Sequence, residues 1–373
     1  MQQRVVVKIG SSSLTSEKGG LCRDRVRFFA AELARLRHQG FQVLLVTSGA
    51  VAAGYTTLGF PIKPKHLHEK QAAASVGQAL LMQCYQDAFL QHRISTAQIL
   101  LTRSDFSNRK RMQNASMTID ELLGRGFIPI INENDTVSVD ELKFGDNDTL
   151  SALVATMTKA NQLIIITDTD GLYTEDPRRN AGARRIEEVQ VINEEILELA
   201  GGAGSAVGTG GMRSKLEAAR IAMRSGIPVF VGCVQESGDL VLAVEHNGKG
   251  TYFNTTCHSL PMKKQWVGFH SLPQGSVIVD AGAEQALVQG GKSLLPAGII
   301  KASGDFHPGD VIEVYNQEGS CIGRGVTNYA PWEVQAAAGL STDEVQKRLD
   351  VHRIEVIHRD EWVTLDPILF TNP

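Results

Sequence analysis

The sequence predicts an α/β protein with a mainly parallel sheet covered on both faces, followed by a small domain of short β-strands. Three observations lead there. From residue 1 to about 255, short apolar runs alternate with helical patterns, which is how a buried parallel sheet with crossover helices reads. Four of those runs end in polar, glycine-bearing segments, K-I-G-S-S, T-S-G-A, I-N-E-N-D and T-D-T-D-G, and open α/β sheets bind ligands beyond the carboxyl ends of their strands. Near 256–275 the pattern changes to short strands broken by Gly, Pro and Asn.

Taken in order, RVVVKIG (4–10) is a β-branched run stopped by a glycine. Asp24 is expected to cap a helix over 25–38, where Val26, Phe29, Leu33 and Leu36 recur at helical spacing and Gly40 ends the pattern. QVLLVTSG (42–49) follows as a nearly all-apolar strand. A long helix over 69–91, the strand AQILLT (97–102), a helix near 108–124 and the strand FIPIIN (127–132) come next. Asp146 or Asp148 opens a helix running to about 158, QLIIITD (162–168) is a strand, Met212 to Ser225 is helical, and IPVFVG (227–232) closes the set. Beyond it, GSVIVDAGAEQALVQGGKSLLPAGI and GDFHPGDVIEVYNQEGSCIGRGVTNY read as strands of a small β-barrel or sandwich. The expected division is a first domain over 1–256, a linker over 257–274, a second domain over 275–355 and an extension over 356–373.

The bulk numbers exclude several classes. No apolar run approaches the roughly 20 residues that span a bilayer. MQQRVVVKIG passes straight into a strand-like pattern without an apolar signal core, so a cytoplasmic protein is expected. The five cysteines, Cys22, Cys84, Cys233, Cys257 and Cys321, are scattered without a C-x-x-C pair and read as reduced thiols. His66 and His68 stand two apart, H-E-x-x-H is absent, and no protein-held metal site is expected. Over 275–353 there are six Lys/Arg against ten Asp/Glu, which disfavours RNA as a partner of the second domain.

Two familiar phosphate loops are missing. Gly291-Lys292-Ser293 has Ala286 where a P-loop needs its first glycine, and Gly208-Thr209-Gly210 is followed by Arg213 where a dinucleotide fingerprint needs its third. Two other lysines are placed for phosphate. Lys8 interrupts a buried strand and precedes Gly10 and Ser11, beside free backbone N–H groups at a strand-to-helix turn. Lys215 ends GTGGMRSK (208–215), in which Thr209, Gly210 and Gly211 let the backbone approach a polyphosphate, and the helix from Met212 aims its positive end at it. Acidic and amide groups gather at I-N-E-N-D, with Asn132, Asn134 and Asp135 at a strand end, and at G-D-N-D (145–148) opening a helix. Capping accounts for one of those aspartates, not for the whole set, which is suited to gripping an ammonium and ordering the lysines.

These motifs resemble the amino acid kinase family, on VVVKIGSSSLT, VTSGAVAAG, LLTRSDF, IPIINENDTVS, KFGDNDTLSALVA, ITDTDGLYTEDPR and GTGGMRSKLEAA, in order over most of 4–232. The C-terminal segment resembles a PUA domain. The resemblance implies a three-layer αβα sandwich and an ATP- and Mg²⁺-dependent phosphorylation of the side-chain carboxylate of L-glutamate, the first step of proline synthesis. It implies that Lys8 and Lys215 contact the transferring phosphoryl group and that Asp148 orients both amines. Gly10, Ser11, Thr167, Asp168 and the 209–215 loop with Met212 would line the ATP site, and Ser48, Gly49, Asn132, Asp135 and Asn147 would hold the glutamate. It further implies feedback inhibition by proline and a homo-oligomer (dimer or tetramer); the turn-rich G-F-P-I-K-P-K stretch within 56–72 is expected to gate the site, and the lability of glutamyl phosphate points to a partnership with the reductase that consumes it.

Overall fold

The computed structural model describes residues 2–16, 19–137, 147–177, 180, 182–200, 211–255, 264, 266–271, 273–349 and 353–364. Contacts divide the chain into two compact units, Met1–Ser259 and Leu260–Pro373.

The first unit is built on eight strands, β1 (Arg4–Ile9), β2 (Gln42–Thr47), β3 (Thr96–Leu101), β4 (Ile128–Glu133), β5 (Gln162–Ile166), β6 (Glu188–Val189), β7 (Val229–Gly232) and β8 (Gly250–Phe253). They lie in the order β3-β4-β2-β1-β5-β7-β8-β6. Strands β1 to β5 and β7 are mutually parallel, as the apolar runs predict, whereas β8 runs antiparallel to β7 and carries β6 beside it. The described helices are α1 (Ser11–Leu14), α2 (Arg23–His38), α3 (Ala50–Gly54), α4 (Leu67–Leu90), α5 (Arg103–Ser107), α6 (Arg109–Gly124), α7 (Asn147–Met157), α8 (Glu194–Leu199), α9 (Met212–Arg224) and α10 (Asp239–Val244). Among the described residues none is long and apolar enough to cross a membrane.

Alternation along the central strand sorts its side chains between two faces. Val5, Val7 and Ile9 join Phe29 and Leu33 of α2 and Leu81, Tyr85 and Phe89 of α4 in one buried cluster. Val6 and Lys8 therefore point to the opposite face, where α7 lies over β1, β2, β4 and β5 and packs on α9. Helices α7 and α9 each lead into a parallel strand, β5 and β7. Both consequently begin at the edge where the parallel strands end.

Several expected boundaries move. The first long helix begins at Arg23 with Cys22 as its cap, and Asp24 lies inside the first turn, paired to Arg27 at 3.1 Å on the surface. The entry is set earlier, by backbone pairing: Cys22 N donates to Leu14 O at 2.8 Å beside a Thr15–Leu21 bridge. The stretch expected to be irregular to residue 72 is helical from Leu67. The helix expected near 108–124 is present as Arg109–Gly124, capped by Asn108, whose side chain accepts from Arg111 N at 3.1 Å, and a short helix over Arg103–Ser107 that was not expected precedes it. Strands β6 and β8 and helices α3, α8 and α10 were not legible, being four to six residues long or shorter.

One close approach positions the chain after β2. Helix α3 crosses α4 with glycines on both sides: a Cβ on Gly77 would sit 1.8 Å from Ala50 O, and one on Gly54 would sit 2.0 Å from Ala73 O. Both obstacles are backbone, so neither helix can yield without moving the other. Gly77→Ala is expected to lower stability by roughly 1–3 kcal/mol, seen as a fall in the thermal midpoint. An unchanged midpoint would refute so close a crossing.

The second unit contains a five-stranded sheet of β9 (Gly275–Val279), β10 (Ile299–Gly304), β11 (Val311–Tyr315), β12 (Cys321–Thr327) and β13 (Ile357–Thr364), in the order β10-β9-β11-β12-β13. Pairing is antiparallel except between β9 and β11. The stretch read as strands throughout also contains α11 (Ala281–Val288), because Asp280 accepts from Ala283 N at 2.7 Å and starts a helix. Helices α12 (Pro331–Ala337) and α13 (Thr342–Arg348) also belong to the unit. Residues 357–364 lie within the expected extension and form an edge strand whose Trp362 joins the buried cluster of Val277, Ile312 and Val314.

Candidate active site

Strand ends and helix starts meet along one edge of the first sheet. Lys8 lies one residue before the end of β1, Ser48 follows β2, Asn132 lies near the end of β4, and Thr167 follows β5. Asn147 and Asp148 open α7, and Gly211 and Met212 open α9. A helix start offers unpaired N–H groups and positive dipole charge, and two such starts converge here with two lysines.

Asp148 is fully buried and bridges both lysines. Its Oδ1 meets the Lys8 ammonium, and its Oδ2 accepts from Lys215 Nζ at 3.1 Å and from Ser214 Oγ at 2.9 Å. Lys8 is 4% exposed and Lys215 5%, so this cluster of two cations and one anion is held almost out of water. Burial pushes the Asp148 carboxyl up, but attraction to Lys8 and then Lys215, with hydrogen bonds from Lys8 and Ser214, outweighs it and holds the group below the usual aspartate range. Among the described residues the cluster has two cations to one anion, a balance suited to receiving a further anion. Space is kept for one: a Cβ on Gly10 would lie 3.3 Å from Lys8 Nζ, so any side chain there would crowd the amine.

A chain of amides runs alongside. Asn147 Nδ2 faces Thr47 O at 2.5 Å, Asn132 Oδ1 at 2.7 Å and Ser48 Oγ at 2.9 Å. Asn132 Nδ2 donates to Gln78 Oε1 of α4 at 2.8 Å, and Gln78 Nε2 donates to Gln98 Oε1 of β3 at 3.1 Å. Gly49 follows Ser48 in the left-handed region (φ 101°), open to glycine without strain, and turns the chain into α3. Thr47 Oγ1 shares a 3.0 Å hydrogen bond with the buried Tyr85 hydroxyl, whose acidity burial suppresses.

The structure thus joins Lys8, Lys215 and Asp148 in one cluster, and Ser48, Asn132 and Asn147 in another one residue away along α7. Asp148 is the second residue of α7 and serves the lysines rather than the helix end. Asp135 is half-buried in the turn after β4. Thr167 is buried and donates its N–H to Gly232 O at 3.0 Å, its hydroxyl reaching the exposed Asp168 at 3.1 Å. Ser11 is exposed in the first turn of α1. Thr209, Gly210 and Asp146 lie outside the described residues. Ser214 and Gln78 were not singled out from sequence. Ser214 had a signal in its place beside Lys215, whereas nothing marks Gln78 among the helical residues around it.

Residues 3–233 match the model of the Amino acid kinase family and residues 275–349 that of the PUA domain. Glutamate 5-kinase of Geobacillus kaustophilus (strain HTA426) is 51% identical over 365 residues, covering 98% of this chain and 98% of its own. Glutamate 5-kinase of Bacillus cereus (strain ATCC 10987 / NRS 248) is 48% identical over 365 residues, covering 98% and 100%. The crystal structure of UMP kinase from Ureaplasma parvum covers 68% of this chain and 100% of its own with a TM-score of 0.48 and 14% identity. The parallel sheet, with two buried lysines and two helix starts at its carboxyl edge, makes this an α/β protein built to handle phosphate. The chain belongs to the amino acid kinase family and carries a C-terminal PUA domain.

Proposed function

We propose that the protein transfers the γ-phosphoryl group of ATP to the side-chain carboxylate of L-glutamate, giving L-glutamyl 5-phosphate and ADP, the first step of proline synthesis. Identity near 50% over nearly the full length to glutamate 5-kinases supports the reaction, and the buried Lys8–Asp148–Lys215 cluster is the observation that carries the mechanism. A glutamate carboxylate is already ionised at neutral pH and needs no general base. It needs relief from repulsion by the triphosphate. A carboxylate oxygen attacks the γ-phosphorus in line, a new O–P bond forms, and the bond to the β–γ bridging oxygen breaks with ADP leaving. Lys8 and Lys215 stabilise the charge spread over the phosphoryl oxygens, and Asp148 holds both amines in position and charged.

Gly10, Ser11, Thr167, Asp168, Gly211 and Met212 form the nucleotide side of this reading, at the ends of β1 and β5 and the start of α9, and Thr209 and Gly210, outside the described residues, are assigned to it by sequence. Ser48, Gly49, Asn132, Asp135 and Asn147 form the glutamate side, with Asp135 taking the α-ammonium and Ser48 the α-carboxylate. Mg²⁺ belongs to the reading as well. Among the described residues no group of three His, Cys, Asp or Glu could hold a metal, and Asp148 is engaged by lysines, so the donors suit a cation carried mainly by the nucleotide phosphates, whose charge it neutralises.

Proline, which offers the same α-carboxylate and a cationic amine, is read as a competitor for the glutamate contacts. The edge strand β3, with half-exposed Ile99 and Leu100, favours a homo-oligomer. The lability of an acyl phosphate favours handover to the reductase that consumes it, and the unpaired cysteines favour the cytoplasm. The test is turnover of ATP, Mg²⁺ and L-glutamate with hydroxylamine present. Glutamate-dependent hydroxamate is expected; activity on N-acetylglutamate, aspartate or UMP instead would move the substrate, and none at all would refute a kinase.

A further inference from the structure

The amide chain beside the lysines has a fixed direction. Asn132 Oδ1 accepts the backbone N–H of Glu133 at 2.9 Å, and Asn147 Nδ2 faces the backbone carbonyl of Thr47 at 2.5 Å. A backbone N–H cannot accept and a backbone carbonyl cannot donate, so neither side-chain amide can turn over without losing its anchor. The Asn132 NH₂ must then point to Gln78, which has to present an acceptor, and it does so through Oε1 at 2.8 Å. Gln78 in turn passes its NH₂ to Gln98 at 3.1 Å. The direction of donation runs from Asn147 through Asn132 and Gln78 to Gln98.

This direction has a consequence at the far end. The NH₂ of Asn147 is turned into the network, toward Thr47 O, Asn132 Oδ1 and Ser48 Oγ. Among the described residues its Oδ1 takes part in none of these bonds. The end of the amide left for a ligand is thus an acceptor, which suits a cationic donor such as an ammonium and does not suit a carboxylate. Gln78 sits on α4 next to Gly77, the residue that sets the close crossing with α3, so one turn of α4 shapes both the Ser48–Ala50 turn and the Asn147 amide.

We infer that Gln78 is a positioning residue that selects for the free α-ammonium of the substrate, acting through Asn132 to hold the Asn147 carbonyl toward it. This rests on the glutamate-kinase reading above. Without an acceptor at position 78, the buried Asn132 NH₂ is left unpaired, so the orientation that the Glu133 N–H favours carries the cost of an unsatisfied donor, and Asn132, with the Asn147 amide it accepts from, is held less firmly. The loss falls on ammonium recognition and spares the lysine cluster, which Gln78 does not touch.

The experiment compares the full-length parent with Gln78→Met, close in length but without an acceptor, and Gln78→Glu, which keeps one. KM for glutamate, KM for ATP and kcat are measured, with the inhibition constant of glutarate, which is glutamate without its ammonium. Gln78→Met is expected to raise KM for glutamate roughly tenfold, the scale of one lost hydrogen bond to a charged group. KM for ATP, kcat and the glutarate constant stay within about twofold, while Gln78→Glu recovers most of the loss. Should Gln78→Met fold poorly, Gln78→Ala carries the same expectation. An unchanged KM for glutamate, an equal weakening of glutarate, or failure of Gln78→Glu to recover would overturn the inference and leave the reaction standing. A parent inactive on glutamate would overturn both.

Discussion

Lys215→Ala and Lys8→Ala are each expected to lower kcat by about 10²- to 10³-fold, the scale of one donor removed from a preorganised site that stabilises transition-state charge. The thermal midpoint should change little. Each lysine reaches Asp148 from a different strand or helix start, so, among the described residues, deleting either leaves one ammonium paired with the carboxylate in place of two cations sharing it, one of them in surplus. That surplus is unfavourable without a bound anion. The expected signature is therefore a severe kinetic defect in a protein that folds as well as the parent, with substrate KM values changed far less than kcat. Hydroxamate formation with saturating ATP and glutamate reads the first quantity and a thermal melt the second. Turnover within a few-fold of the parent in either variant would remove that lysine from the transferring phosphoryl group.

Asp148→Asn should give the opposite balance, losing both stability and activity. Two buried ammonium groups would face each other across an amide, and breaking a buried pair by removing one partner costs about 3–5 kcal/mol. The pH dependence identifies the cause. The carboxyl of Asp148 is held below the usual aspartate range by its lysines against the opposing effect of burial. A group with a depressed folded value contributes stability that is fully present above the unfolded value and is lost as pH falls through the folded one. The difference in thermal midpoint between parent and Asp148→Asn should thus be level near neutral pH and shrink only in acid, below the ordinary carboxylate range. A difference that stays constant into the acid range, or a variant as stable as the parent at neutral pH, would contradict the buried triad.

Much of this was legible from the residues. The alternation of apolar runs with helical patterns specified a parallel sheet, and the polar strand ends specified where to look. Lys8 stood out because a lysine inside V-V-V-K-I-G needs a partner. Lys215 stood out because glycines and a helix start precede it. The short elements were not legible: β6 has two residues and α3 five, too few for any periodicity to register. The helix over 281–288 was missed because small residues such as Ala and Gly carry no amphipathic pattern, and its capping aspartate gave the stronger signal.

By itself, then, the sequence determined the fold class, and it pointed to the edge of the sheet proposed to bind and to the charged side chains Lys8, Asp148 and Lys215 that gather there, because each of these depends on local pattern or on a chemical oddity within one segment. Tertiary structure alone decided which of them meet. Asp148 and Lys215 are 67 residues apart and Gln78 and Asn132 are 54 apart. Their contact follows from the order of strands, from two helices beginning at the same edge, and from a glycine crossing that sets α3 against α4. The direction of the amide chain was beyond reach for the same reason: it is imposed by two backbone groups, Glu133 N–H and Thr47 C=O, and every residue has a carbonyl and every residue but proline an N–H.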